Sequence, residues 1–191
     1  MNKENTFLKL MRWMCNILQW LYWIVVGVMG ILFLVSLFNP KWLMDLLELQ
    51  FPSMFGPLTF SIVVQDFHGE LSFSPLALRI LLFASVVSLS LMAMVFRNAY
   101  LILKTADGKT WFSQGNTPFQ SNVVRMIREM GIFLILICVV NLSLSIVLQA
   151  LGLVRESSVE FSMVPIGCLL IALSMYFQYG VSLQKDVDGL I

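Results

Sequence analysis

Apolar residues along this chain are gathered into four long runs rather than spread at a helical or strand period. They are Ile17–Phe38, Leu76–Phe96, Gly131–Leu151 and Met163–Val181. A helix needs about 20 apolar residues to cross a hydrocarbon core of about 30 Å. Each run meets that length, so the pattern predicts four transmembrane helices. Three stretches separate them. They are an outer segment over residues 39–75, an elbow over residues 97–130 at the middle of the chain, and a short outer connection over residues 152–162.

The first run is too long for the apolar region of a secretory leader, which spans about 7–15 residues. It continues into Asn39-Pro40-Lys41-Trp42 with no small-residue cleavage site, so it is expected to remain as an anchor. Before it, Phe7, Leu10, Met11 and Met14 share one helical face, and Lys9 and Arg12 lie opposite. That arrangement suits an amphipathic segment on an anionic leaflet, or a basic terminus that only signals topology. Trp13, Trp20, Tyr22 and Trp23 collect where amphipathic rings favour the membrane interface. Gly27 and Gly30 offer a flat patch for a second helix.

In the outer segment, Leu43, Leu46 and Leu47 oppose Asp45 and Glu48, which predicts a surface helix ended by Pro52. The alternation Leu58, Phe60, Ile62, Val64, followed by Gly69 and the run Glu70–Phe73, predicts a small β-hairpin. Two strands alone are marginal in water, so the hairpin is expected to pack on the surface helix as an extracytoplasmic cap. The expected fold is an all-α integral membrane protein, a four-transmembrane-helix bundle carrying that cap as part of a single membrane domain.

In the elbow, Asp107-Gly108 and Gly115-Asn116-Thr117-Pro118 are turn signals. Ser121 or Asn122 is expected to cap a helix with Val123, Met126, Ile127 and Met130 on one face and Arg125, Arg128 and Glu129 on the other. This helix is expected to run into the third span. Asn98–Ala106 is likewise expected to extend the second.

Composition sharpens the class without changing it. Of 191 residues, 59% are hydrophobic and 12% charged, against about a quarter charged in an ordinary soluble domain. Lys and Arg concentrate on the cytoplasmic side of membrane proteins. With the N-terminus inside, nine Lys and Arg face the cytoplasm and three (Lys41, Arg79 and Arg155) face out. Six of the eleven acidic residues then lie outside. Both termini are therefore expected in the cytoplasm, below an acidic outer face. A formal net charge of +1 gives no sign of direct nucleic-acid binding by bulk electrostatics.

Few residues suggest chemistry. Gly108-Lys109-Thr110 resembles the end of a phosphate-binding loop, but Leu103 stands where that motif needs glycine. Asp66, His68 and Glu70 alternate as metal ligands would, yet Gly69 interrupts them, and a solvated turn is the expected reading. His68 is the only histidine, and no span carries an ionisable residue away from its edges. That pattern argues against proton-coupled transport and acid–base catalysis. Cys15, Cys138 and Cys168 are read as small buried hydrophobes. No cofactor or metal is implied.

The third span does carry a polar stripe, Asn141, Ser145 and Gln149, at four-residue spacing, and the fourth carries Ser174 and Gln178. Lipid cannot satisfy amides, so the stripes are expected to face partners. They serve either as helix–helix hydrogen bonds or as the lining of a polar path.

Two short motifs add a resemblance. "GNTPFQSNVVRMIREMG" and "MYFQYGVSLQKDVDGLI" are similar to the bacterial membrane proteins of domain-of-unknown-function family 2975. The matching positions are Gly115, Pro118, Phe119, Asn122, Phe177, Gly180, Leu183 and Gln184. The likeness covers the second half of the chain. Gln120 departs from it, because the family pattern implies a capping Ser or Thr there. The resemblance implies four spans, no established activity and pairing with a small Cro-like helix-turn-helix regulator. The expected function is thus a non-enzymatic membrane protein whose elbow docks a cytoplasmic partner through Gly115, Pro118, Phe119, Asn122, Arg125 and Arg128. The alternative is a small transporter or immunity-type protein. Lipid is an expected partner in either case, and self-association is left open.

Overall fold

The computed structural model describes residues 3–40, 42–43, 75–106, 110, 120–152 and 161–188. The described part is all-α, with four long helices: α1 (Lys3–Phe38), α2 (Pro75–Ala106), α3 (Ser121–Ala150) and α4 (Met163–Asp188). All four contain a stretch long and apolar enough to cross a membrane. The protein is therefore a multi-pass membrane protein. Every helix is longer than its apolar run. α1, with 36 residues, measures about 54 Å at 1.5 Å per residue.

No strand occurs among the described residues. The predicted hairpin, residues 58–73, and the metal-like trio Asp66, His68 and Glu70 lie outside them. So does most of the predicted surface helix. Its first residues are described: Pro40, Trp42 and Leu43 are helical, and Leu43 is fully buried. The N-terminal lead-in is not a separate segment. It continues into α1 without a break, because no Gly or Pro interrupts the chain before Gly27.

The helix ends follow from local chemistry. The first four N–H and last four C=O groups of any helix lack intrahelical partners. At the end of α1, the Asn39 N–H donates to the Val35 carbonyl at 2.8 Å. The next carbonyl, Ser36, would need the N–H of residue 40, and Pro40 has none. Arg79 of α2 supplies the missing donor, with its Nε 3.1 Å from the Ser36 carbonyl oxygen. A cation at a helix C-terminus also complements the helix dipole. Asn39 then starts the next helical turn. Its Oδ1 accepts from the Trp42 N–H at 3.5 Å, with Pro40 at the first helical position, where proline is favoured. α2 likewise begins on Pro75. α3 ends at Gly152, whose φ of 68° is left-handed and whose N–H reaches the Gln149 carbonyl at 2.9 Å.

The residues group into two packing units. One comprises Met1–Trp23, Ser90–Ile137 and Phe161–Ile191, and the other comprises Ile24–Leu89 and Cys138–Glu160. In the second unit, α2 uses two faces. Leu78 and Leu82 pack with Met29 and Leu43, and Phe33 meets Phe83 at a ring distance of 5.9 Å. The small residues Ala77 and Ala84 face Leu144 and Leu148 of α3. Small side chains on one helix and leucines on the other allow interdigitation at close approach.

In the first unit, Tyr22 of α1 stacks on Phe96 of α2 at 5.3 Å. Val95 packs with Leu134 and Ile137, and Met163 and Leu170 of α4 close over them. α3 and α4 approach closely here. A Cβ on Gly131 would lie 2.6 Å from the Gly167 carbonyl oxygen, and one on Gly167 would lie 2.8 Å from that of Gly131. Only glycine at both positions permits this crossing. By contrast, nothing lies within 4 Å of a Cβ built on Gly27 or Gly30, so the patch expected to receive a helix is open.

Replacing Arg79 by Met should leave the Ser36 carbonyl without its donor. Stability should fall by about 1–2 kcal/mol, read as a lower midpoint in a denaturing-detergent titration. Arg79→Lys should recover part of the loss.

Candidate docking surface and intramembrane polar groups

The sequence placed its candidate docking residues around the start of α3, and the structure describes half of them. Gly115, Pro118 and Phe119 lie outside the described residues. Asn122, Arg125 and Arg128 lie on the first turns of α3. The cap of this helix is one residue earlier than expected. The Gln120 carbonyl accepts from the N–H groups of Val123 at 3.0 Å and Val124 at 3.1 Å. Gln120 therefore occupies the capping position, and Ser121 and Asn122 are the first two helical residues. Its side chain is buried, which gives the glutamine a packing role where a shorter Ser or Thr was expected.

The two faces of this turn are distinct. Val123, Val124 and Ile127 are buried, and Met126 and Met130 are half-buried, which holds the helix against its neighbours. Arg125 and Arg128 are exposed on the other side. Glu129 fixes one of them. Its Oε1 accepts from Arg125 Nε at 2.7 Å, and its Oε2 accepts from Asn98 Nδ2 of α2 at 3.3 Å. Asn98 is buried, so this link ties α3 to α2 as well as orienting Arg125. The Arg125 side chain is 72% exposed, so the ion pair itself contributes little stability. Its effect is positional, because it aims one arginine and sets a carboxylate beside it, while Arg128 extends from the same face.

Other basic groups of this unit are used structurally. Arg12 of α1 donates to the Leu103 carbonyl of α2 at 3.5 Å, within the last four residues of that helix. Lys104 sits 5.8 Å from the Tyr100 ring centroid. Thr105, fully buried, shares a hydrogen bond of 3.1 Å with Thr110, which draws the chain back as it leaves α2.

Two residues of the polar stripes have a described partner. Asn141 Oδ1 accepts from the hydroxyl of Ser88 on α2 at 3.4 Å, and Ser88 is buried. Ser174 is buried too, and its hydroxyl donates to the Ile171 carbonyl of its own helix at 2.6 Å. Ser145 is half-buried, and Gln149 and Gln178 are exposed. Ser88–Asn141 thus joins α2 to α3. α4 meets α3 through Gly131 and Gly167, which four-residue polar spacing could not reveal. The signal that could have found them is positional: both are glycines inside apolar runs, where glycine otherwise weakens a helix.

No group of three or more His, Cys, Asp or Glu side chains gathers as a metal site among the described residues. A double-mutant cycle on Ser88→Ala and Asn141→Leu should return a coupling of about 0.6 kcal/mol in detergent unfolding. Additive effects would show that the two side chains do not interact. Compared with protein-family models, with curated proteins and with solved structures, the chain matches none.

Proposed function

We propose that this protein sits in a bacterial cytoplasmic membrane with both termini inside, and that it works by docking a cytoplasmic partner rather than by catalysis. The observation that carries the reading is the first turns of α3. Their buried face, Val123, Val124 and Ile127, anchors the helix, and the opposite face presents Arg125 and Arg128 to solvent. An exposed cationic pair on a packed support is a preorganised surface for an acidic partner. The Lys and Arg distribution supports the orientation, because nine of twelve fall on the side that holds this turn.

The resemblance noted above points to a small helix-turn-helix regulator as that partner. The protein would then hold the regulator at the membrane, with residues 39–75 as the sensing cap outside. Transport through a polar path is the weaker reading. Asn141, the first residue of the stripe that would line such a path, is engaged by Ser88. The exposed Gln178 is what keeps that reading in view.

A membrane-impermeant maleimide should label Arg128→Cys, in a background lacking native cysteines, only after the cells are opened. Labelling in intact cells would reverse the orientation. Cross-linking in native membranes, followed by mild solubilisation and mass spectrometry, should recover a stoichiometric cytoplasmic DNA-binding protein. The Arg125→Glu/Arg128→Glu variant should lose it. Undiminished recovery by that variant would remove the docking surface from α3.

A further inference from the structure

Arg125 is held by only one edge of its guanidinium. Its Nε donates to Glu129 Oε1 at 2.7 Å, and among the described residues this is its one hydrogen bond. Both Nη groups stay open to other acceptors, on a side chain that is 72% exposed. Glu129 is fixed in turn from behind. Its second oxygen accepts from Nδ2 of Asn98, which is buried in α2. A buried amide thus holds a carboxylate, and the carboxylate holds an arginine. Arg128, exposed on the same face, has no hydrogen bond or ion pair among the described residues. No acidic residue lies in the first turn of α3, so the positive end of the helix adds to the same field.

An ion pair this exposed contributes little stability, so its consequence is the freedom it removes from Arg125. The unoccupied Nη1/Nη2 edge is planar and matches the two oxygens of a carboxylate. Depth decides between lipid and a soluble partner as the source of that carboxylate or phosphate. The apolar run of α3 begins at Gly131, six residues after Arg125. Six residues of helix span about 9 Å, and the headgroup layer adds only about 5–7 Å to each side of the hydrocarbon core. Arg125 therefore lies past the lipid phosphates, where a soluble protein can reach it.

We infer that Glu129 is a positioning residue, and that this surface recognises a pair of carboxylates on an acidic segment of a soluble protein. The Nη1 and Nη2 groups of Arg125 take one carboxylate together. Arg128 takes the other, about 5–6 Å away between Cβ atoms. The inference rests on the docking surface proposed above and adds the arrangement of charge that a partner must present. It also has a sign that bare charge does not. Were net charge alone at work, removing Glu129 would tighten binding of an acidic partner, because the face would become more positive. With Glu129 as the support, removing it leaves Arg125 to be ordered at the moment of binding, and binding weakens.

Titrating the full chain in phosphatidylcholine nanodiscs with a fluorescently labelled polyglutamate peptide, at low salt, tests this. Glu129→Ala should raise Kd about threefold or more despite the gain in positive charge. Arg125→Lys keeps the charge and leaves the Asn98–Glu129 contact intact. It should raise Kd about threefold as well, because an ammonium cannot form the planar fork. Glu129→Gln keeps an acceptor for the Arg125 Nε and should bind at least as tightly as the unmodified chain. Tighter binding by Glu129→Ala, or unchanged binding by Arg125→Lys, would overturn the inference and leave a docking surface of plain charge. No binding by the unmodified chain, or equal binding by Arg125→Glu/Arg128→Glu, would overturn the docking surface too. Phosphatidylglycerol that co-purifies from native membranes with such a non-binding chain, and not with that variant, would assign the arginines to lipid headgroups instead.

Discussion

The structure depends most on where the chain satisfies its backbone carbonyls at helix ends. Inside and near a bilayer there is little water to accept an orphan group. A helix can cross only if its terminal C=O and N–H groups find other partners. Here two arginines meet that need. Arg79 reaches the Ser36 carbonyl that Pro40 leaves without an N–H, and Arg12 reaches the Leu103 carbonyl in the last turn of α2. At the other ends, Gln120 caps α3 and Gly152 closes it. Basic residues that looked like topology signals alone are thus also fasteners between α1 and α2.

With the ends secured, packing rests on small contacts. α2 meets α1 through Leu78 and Leu82 and meets α3 through Ala77 and Ala84. α3 and α4 cross at Gly131 and Gly167, close enough for backbone to touch backbone. In lipid no hydrophobic force pushes helices together, so such close approach and one buried polar pair, Ser88–Asn141, carry much of the specificity. The buried serines that lack a helix partner bond within their own turns, as Ser36 and Ser174 do.

The first turns of α3 raise a second physical point. One face is fixed by packing and the other presents exposed arginines. Glu129 spans Arg125 and Asn98 to hold the geometry. Charge on a rigid support suits a soluble partner.

The amino-acid sequence by itself determined the number, position and length of the spans, since crossing hydrocarbon demands about 20 apolar residues and nothing else in the chain provides them. It also determined that α2 and α3 extend past their apolar runs, because capping and turn residues are local signals. Only the tertiary structure decided which groups meet. A four-residue spacing places Asn141, Ser145 and Gln149 on one face but does not say what that face opposes, and the partner of Asn141 is Ser88 of α2. Likewise Gly27 and Gly30 had the composition of a contact, and Gly131 and Gly167 made one. Periodicity gives the angle of a residue around its own helix. The neighbour at that angle is set by how all the helices pack.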